Sequence, residues 1–395
     1  MITSFQAEQL SIGFDFNIEL EKNKQIYCFI GKNSIGKTLL LENMAKSLIF
    51  CHSMFEIEKS NKLKYSGFFS IKNISDNFNT FTLKLPLDIN INNIKIKDKN
   101  KESWGVVTFE FLHLTKNNSF IYDSPVIFIG AKNRGFTKNI DTNNIKILAD
   151  KDNRFIESFQ RTWKYINGEG LEQEEIADWF TSRLIINPHF ITTNQNKIFE
   201  AETVLKLIDR LEPNLNLVQK NEKGEISLKI SFSEGKLLIN NIPLDKLSTG
   251  YVSIIKIFQE IVAGYSGWTD AENLNEVEGI VFIDELEPHL HISWQTKIIS
   301  ILREFFPKTT FYISTHSPLV LAGLKNGEGY ELIKENNVVK AKPIDNIENY
   351  FLNDIVKEFF DVDLNKEKIQ NVNQERQQKG KKILLNLLQN LKEDK

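Results

Sequence analysis

Cysteine is almost absent: Cys28 and Cys51 are the only two in 395 residues. Two thiols cannot build a disulfide framework, and the scarcity suits a reducing compartment. No apolar run approaches the roughly 20 residues that a membrane-spanning helix needs. The first ten residues lack a basic start and an apolar stretch, so no export signal is expected and the expected location is cytoplasmic, without a membrane partner. An excess of one charge is also missing, since 49 Lys and Arg face 52 Asp and Glu for a formal net charge of −3. That balance argues against a globally basic nucleic-acid surface and leaves room for a local basic groove. Neither an internal repeat nor a sustained heptad run occurs, which speaks against a long coiled-coil arm. What remains is an ordinary globular composition, 41% hydrophobic and 26% charged, long enough for one large or two moderate domains.

The patterning divides the chain. Residues 2–8, 14–20 and 25–30 read as strands, and 39–49 carries apolar residues at helical spacing. Between 66 and 114 the period drops to two: Phe81, Leu83 and Leu85 alternate with polar neighbours, as do Val107, Phe109 and Phe111. Such runs suggest antiparallel strands with one wet face. The lysine-rich piece 91–101, with Lys95, Lys97, Lys99 and Lys101, reads as a loop or hairpin tip whose lysines are solvated. A buried strand at 126–130 runs into Ala131-Lys132-Asn133-Arg134. Helical stripes follow, first Phe155, Phe159, Trp163 and Ile166, then Val204, Leu205, Ile208 and Leu211, closed by Pro213. Residues 226–232 alternate up to a hairpin turn at Glu234-Gly235. From Leu247 the order is helix (251–262), strand (280–283), helix (293–306), strand (310–313) and a hairpin around Asn336-Asn337. A helical tail ends in the stripe Leu384, Leu387, Leu388 and Leu391. The expected class is α/β, with an antiparallel β and helical lobe inserted between two α/β halves and a helical C-terminal tail.

Four short motifs carry chemistry. Gly31-Lys32-Asn33-Ser34-Ile35-Gly36-Lys37-Thr38 satisfies the G-x-x-x-x-G-K-[ST] pattern and lies between a predicted strand and a predicted helix. Backbone N–H groups of such a loop cradle phosphate oxygens, Lys37 faces the β and γ phosphates of ATP, and the Thr38 hydroxyl can ligate Mg²⁺. Ser34 is costly if its position needs a positive φ. Residues 280–283 are apolar and deliver Asp284 and Glu285 to the end of a strand, where ligands gather in open α/β sheets. Asp284 is the candidate Mg²⁺ holder, and Glu285 the candidate residue orienting the attacking water. Strands also end in merely solvated acids, and it is the P-loop in the same chain that favours function. Ser248 and Gly250 open a helix and could bind a terminal phosphate, although Ser248 or Thr249 would serve equally as a plain N-cap. His316 follows a strand inside Ser314-Thr315-His316-Ser317-Pro318 and could donate to a γ-phosphate, where a lone histidine is more often structural. His289, His291 and His316 have neither the spacing nor the cysteine partners of a separate zinc site.

The order of these motifs resembles the ATP-binding-cassette ATPases of the SMC/RecF type. Within them, Asp284-Glu285-Leu286-Glu287-Pro288-His289-Leu290-His291 is similar to the D-E-x-E-x-H-L-H-P run of OLD-type ATPases in bacterial anti-phage defence, with Ile292 standing where proline is usual. The resemblance covers about 1–50 and 245–320. It implies an ATP-binding-cassette ATPase head in two parts, 1–60 and 246–345, around an inserted lobe at 61–245, with a tail at 346–395 for dimer or partner contacts. It also implies Leu247 to Tyr251 as a signature segment acting on ATP held by a second copy, hence a homodimer or higher homo-oligomer. Ala131 to Arg134 would fall in the lid region. OLD proteins usually continue into a Toprim nuclease domain of roughly 100 residues or more. Only 79 residues follow His316 here, and Asp361-Val362-Asp363 lacks the nuclease context. The expected effector is therefore a separate nuclease or toxin, as in Septu- or PARIS-like systems. Nucleic acid stays open as a partner. A RecF-like DNA-repair ATPase and an ATP-gated scaffold with little turnover are the alternatives, and a transporter subunit fits least.

Overall fold

In the computed structural model the described residues are 1–8, 13–50, 52, 55–57, 63–65, 88–92, 94–97, 122–132, 134–135, 137, 148–166, 175–184, 197–360, 362 and 379–383. The alternations around Phe81 and Val107, Lys99 and Lys101, Asn133, Asp361, Asp363 and the leucine stripe lie outside them. The chain divides into two units, Met1–Glu348 and Asn349–Lys395.

The first unit opens with β1 (Ser4–Glu8), β2 (Asp15–Glu19), β3 (Ile26–Ile30) and helix α1 (Lys37–Phe50). Two antiparallel pairs follow, β4 (Phe55–Ile57) with β5 (Leu63–Tyr65) and β6 (Asp88–Ile91) with β7 (Ile94–Lys97), and then β8 (Val126–Ile129). Helices α2 (Lys151–Ile166), α3 (Ile176–Leu184) and α4 (Ile198–Leu211) precede five short strands. These are β9 (Val218–Lys220), β10 (Ile226–Leu228), β11 (Ile230–Ser233), β12 (Lys236–Ile239) and β13 (Ile242–Pro243). The last stretch is α5 (Thr249–Thr269), β14 (Gly279–Ile283), α6 (Ile292–Gln295), α7 (Ile298–Phe305), β15 (Thr309–Ser314), α8 (Pro318–Leu321), β16 (Gly329–Glu335) and β17 (Val338–Pro343). In the second unit, α9 spans Leu352–Phe360.

Ten strands form one mixed sheet in the order β7-β6-β1-β2-β17-β16-β3-β15-β14-β8. Its longest parallel segment is β16-β3-β15-β14-β8, with β17 and β2 a separate parallel pair, and β3, β14 and β8 are buried at every residue. That is why they read as continuous apolar runs instead of alternations. Segment 61–245 supplies β6, β7 and β8 to this sheet, and Ile94–Lys97 is strand where the sequence suggests a loop or hairpin tip at 91–101. The reason is pairing: Phe5 to Glu8 of β1 offer an edge that residues 88–91 fill in register, and 94–97 pair with 88–91 in turn.

An aromatic ladder crosses the parallel segment. Tyr27, Tyr312, Phe282 and Phe128 are register partners on neighbouring strands. Their rings stack at 5.0, 5.1 and 6.0 Å. The same core takes in Leu40, Leu41, Met44 and Leu48 of α1 and Phe155, Phe159, Trp163 and Ile166 of α2. Tyr312 also pins the start of the chain, its hydroxyl accepting from Ile2 N–H at 2.7 Å and donating to Ile2 C=O at 2.8 Å.

Three elements depart from the sequence pattern. α5 runs to Thr269, seven residues past the expected end, because Gly264 and Gly267 are close-approach points and not breakers. A Cβ at Gly264 would lie 2.4 Å from Ile127 Cδ1, and one at Gly267 would lie 2.8 Å from the Arg154 carbonyl oxygen. The single helix expected at 293–306 is two, with a turn at Thr296 and Lys297. There Lys297 Nζ reaches the Leu211 carbonyl at 3.4 Å, and Ile298, Ile299 and Leu302 are buried. The run 226–232 changes partners at Lys229, pairing first with β9 and then with β12. Among the described residues no helix is long and apolar enough to cross a membrane.

Candidate nucleotide site

Parallel pairing brings the C-terminal ends of β3, β15, β14 and β8 to one edge of the sheet. After β3 the chain turns through Gly31–Thr38 into α1. Gly31, Ser34 and Gly36 all have positive φ, at 149°, 66° and 97°. Left-handed residues in such a turn aim successive N–H groups inward, which makes an anion-binding concavity at a helix start. Gly36 has a second constraint, since a Cβ there would lie 2.9 Å from the Phe14 ring. Ser34 therefore bears the strain anticipated from the sequence. Lys37 folds over its own loop, donating from Nζ to the Gly31 carbonyl at 2.8 Å and the Lys32 carbonyl at 3.3 Å. Burial lowers its pKa, and the carboxylates of Glu285, Glu287 and Asp284 oppose that shift. The ammonium is thus held among loop carbonyls, where triphosphate oxygens are equivalent acceptors.

β14 ends against this loop. The Thr38 hydroxyl donates to the Asp284 carboxylate, with Oγ1 at 3.0 Å from Oδ1 and 2.9 Å from Oδ2. Asp284 is buried, and Ser314 Oγ, at the end of β15, donates to its Oδ1 at 2.6 Å. Ser314 Oγ in turn accepts from the Glu285 N–H at 2.7 Å, so one hydroxyl links both acids to the neighbouring strand. Glu285 itself is left-handed, at φ 47°. One hydroxyl, one carboxylate and a place for phosphate oxygens form the hard, oxygen-only set that Mg²⁺ prefers, and Mg²⁺ does not need an all-protein cage. Among the described residues no group of three or more His, Cys, Asp or Glu could hold a metal ion by itself.

Four contributors had no role of their own in the sequence reading, although Ser314, Glu287 and Arg134 lie in segments it singles out. Ser314 is one. Glu287 is the second: its carboxylate accepts from Thr315 Oγ1 at 2.6 Å and from the His316 N–H at 2.7 Å, fixing the turn that carries His316. The third is Arg134, 1% exposed, whose Nη2 donates to the carbonyls of Asp284 (3.2 Å) and Glu285. Burial pushes its pKa down to about 10, with Asp284 and Glu287 holding it up, so it stays charged at neutral pH. The fourth is Glu42, one helical turn beyond Thr38. Burial raises its carboxyl to about 7; Lys46 opposes the shift and Asp284 adds to it. A lone polar residue ending an apolar strand was the available signal for Ser314. The others act across separations that local patterning does not encode.

Ser248 caps α5 with a 3.3 Å contact to the Tyr251 N–H, and Ser248 and Thr249 are exposed. Gly250 is buried, and a Cβ there would lie 2.4 Å from the His289 carbonyl oxygen. Neither Ser248 nor Gly250 hydrogen-bonds to Gly31–Thr38 within the chain, among the described residues. His289 is left-handed and exposed, with its ring against Gly135. His291 instead caps α6, its Nδ1 3.3 Å from the Ser293 N–H. His316 is half-buried beside the β3 edge, next to Thr315, whose N–H donates to the Phe29 carbonyl at 3.1 Å. The P-loop, Asp284, Glu285 and His316 are therefore gathered on one edge, and Ser248 and Gly250 open a separate helix.

No family model matches the chain. It is 23% identical to Septu protein PtuA of Bacillus mycoides (strain KBAB4) over 80% of this chain and 37% of that protein. It thus spans little more than a third of that relative's length. A Septu protein PtuA of Bacillus thuringiensis is 23% identical over 89% of this chain and 81% of its own length. The Retron Vc95 probable ATPase of Vibrio cholerae serotype O1 biovar El Tor is 25% identical, over 80% and 70% respectively. Among solved structures, an SMC head bound to the C-winged helix domain of ScpA aligns over 88% of this chain and 99% of its own, at 11% identity and a TM-score of 0.44. The SMC head domain of Thermotoga maritima aligns over 87% and 99%, at 10% identity and a TM-score of 0.39. By sequence, the chain is a distant homologue of the Septu PtuA proteins and of the retron probable ATPases.

Proposed function

We propose that this chain is a Mg²⁺-dependent ATPase that dimerises around ATP and controls a separate effector, a nuclease or toxin, in anti-phage defence. The observation that carries the reading is the junction of Thr38 with Asp284, which joins the P-loop helix to the acidic end of β14. The names of the retron relatives, probable ATPases, point the same way. On this reading 1–60 and 246–345 are the two halves of the ATPase head, 61–245 holds the inserted lobe while also lending β6, β7 and β8 to the head's sheet, and 346–395 is the segment for dimer or partner contacts.

The residues divide the work. N–H groups of Gly31 to Thr38 bind phosphate oxygens, and Lys37 exchanges its loop carbonyls for the β and γ phosphates. Thr38 and Asp284 hold Mg²⁺, which when bound neutralises charge on the phosphates. Glu285 orients the attacking water, and the half-buried His316 donates to the γ-phosphate. Gly250 stands in the first turn of α5, where N–H groups have no partner inside the helix. With Ser248 it contacts the terminal phosphate of ATP held by a second copy. Hydrolysis loosens that contact and changes the state of the effector.

The test is a comparison of variants under steady-state turnover. Glu285→Gln should keep nucleotide affinity and lower kcat on the order of 100-fold or more. Unchanged turnover in that variant would leave an ATP-gated scaffold as the better reading. For the effector, the product of the adjacent gene should co-purify with the chain. DNA cleavage by the chain alone would contradict a separate effector.

A further inference from the structure

We infer that Arg134 is a positioning residue for hydrolysis, fixing the backbone turn at Asp284 and Glu285 and thereby the place of the Glu285 carboxylate. This rests on the ATPase reading above.

The guanidinium comes from the segment after β8 and is 150 residues away in sequence from the turn it holds. Its Nη2 donates to two consecutive carbonyls, those of Asp284 and Glu285. From the other side Ser314 Oγ accepts the Glu285 N–H. The turn between them contains a left-handed glutamate at φ 47°, a conformation that an L-residue keeps only where its surroundings over-determine it. Arg134 and Ser314 are those surroundings.

A purely structural role is a poor account of this arginine. Arg183 shows what such a role looks like in the same chain. Its Nε donates to Glu200 at 2.6 Å, its Nη1 to the Trp179 carbonyl and Ser182 Oγ at 3.1 Å each, and its Cζ lies 4.1 Å from the Trp179 ring centroid. Arg134 is equally buried, yet its Nε and Nη1 have no hydrogen-bond partner and it forms no ion pair among the described residues. Buried donors are ordinarily satisfied, and an apolar side chain of similar volume would fill the space without that cost. What an apolar side chain cannot supply is a charge next to Asp284, Glu287 and Glu285 and a donor to two carbonyls at once.

The experiment measures kcat, KM, nucleotide Kd and melting temperature for the full chain, Glu285→Gln, Arg134→Gln and Arg134→Lys. Arg134→Gln is expected to lower kcat by about 10- to 100-fold with Kd within about threefold of wild type, because misplacement of a reacting group by an ångström is felt on that scale. Arg134→Lys, which keeps the charge and a donor, should recover part of the lost kcat. Wild-type turnover together with an unchanged kcat in Arg134→Gln overturns this assignment alone. Parallel loss of Kd and kcat, or two variants that fail to fold, shows a structural role and overturns it as well. A wild-type chain that binds nucleotide without turning it over, or binds none, removes the ATPase reading and this assignment with it.

Discussion

Ser34 occupies a left-handed backbone position, φ 66°, that costs an L-residue roughly 1–2 kcal/mol and glycine nothing. Ser34→Gly should therefore stabilise the free chain by about 1 kcal/mol after the flexibility of glycine is charged against it. Thermal melting would show it, and a lowered melting temperature would contradict the strain. Glu42 gives a pH dependence. Its folded pKa of about 7 lies above the ordinary carboxylate value because burial disfavours the charged form. Between about 4.5 and 7 the folded state then binds more protons than the unfolded one, so this group's contribution falls as pH rises. Glu42→Gln should be more stable than wild type at pH 8, by on the order of 3 kcal/mol, and the gap should shrink to under about 1 kcal/mol by pH 5. A constant gap across that range would mean that ionisation of Glu42 is not its cause. Residues of this kind were half legible in the sequence. The strain at Ser34 followed from its place in the loop, whereas the shift at Glu42 comes chiefly from burial, which tertiary packing sets and local sequence does not show.

At the scale of elements, the parallel strands were the most readable part. β3, β14 and β15 are buried on both faces, and their composition says so. The aromatic ladder that ties them together could not be read, because register between strands is a property of pairing. Phe282, stacked between Phe128 and Tyr312, should cost about 3–5 kcal/mol when replaced by alanine. A cost near zero in denaturant unfolding would show that the ladder adds nothing. α5 gives the opposite lesson. Gly264 and Gly267 look like interruptions of a helix, and they are where α5 lies close against β8 and α2. Gly267→Ala raises intrinsic helix propensity yet brings a methyl group against the Arg154 backbone, so it should destabilise by about 1–3 kcal/mol. Stabilisation would mean that the contact is slack. Turn-forming side chains such as Glu287 and Ser314 stayed hidden for a related reason: each satisfies backbone groups on a different strand-end turn.

At the scale of the molecule, the proposed dimer turns on Ser248 and Gly250, which make no hydrogen bond to the P-loop of their own chain among the described residues. The exposed Ser248 marks the surface that a second copy would meet. Ser248→Arg should leave nucleotide affinity within about threefold and abolish ATP-dependent dimerisation, read by light scattering on the slow Glu285→Gln background. A dimer that forms regardless would move the interface elsewhere. All of this depends on triphosphate binding at the Lys37 loop. The most direct measurement is a titration of Mg-ATP into wild type and Lys37→Ala, both checked for folding by their melting curves. The account predicts saturable binding by the wild type and at least a 100-fold loss in the variant, in keeping with a desolvated charge pair. Equal affinity in the two proteins would contradict it.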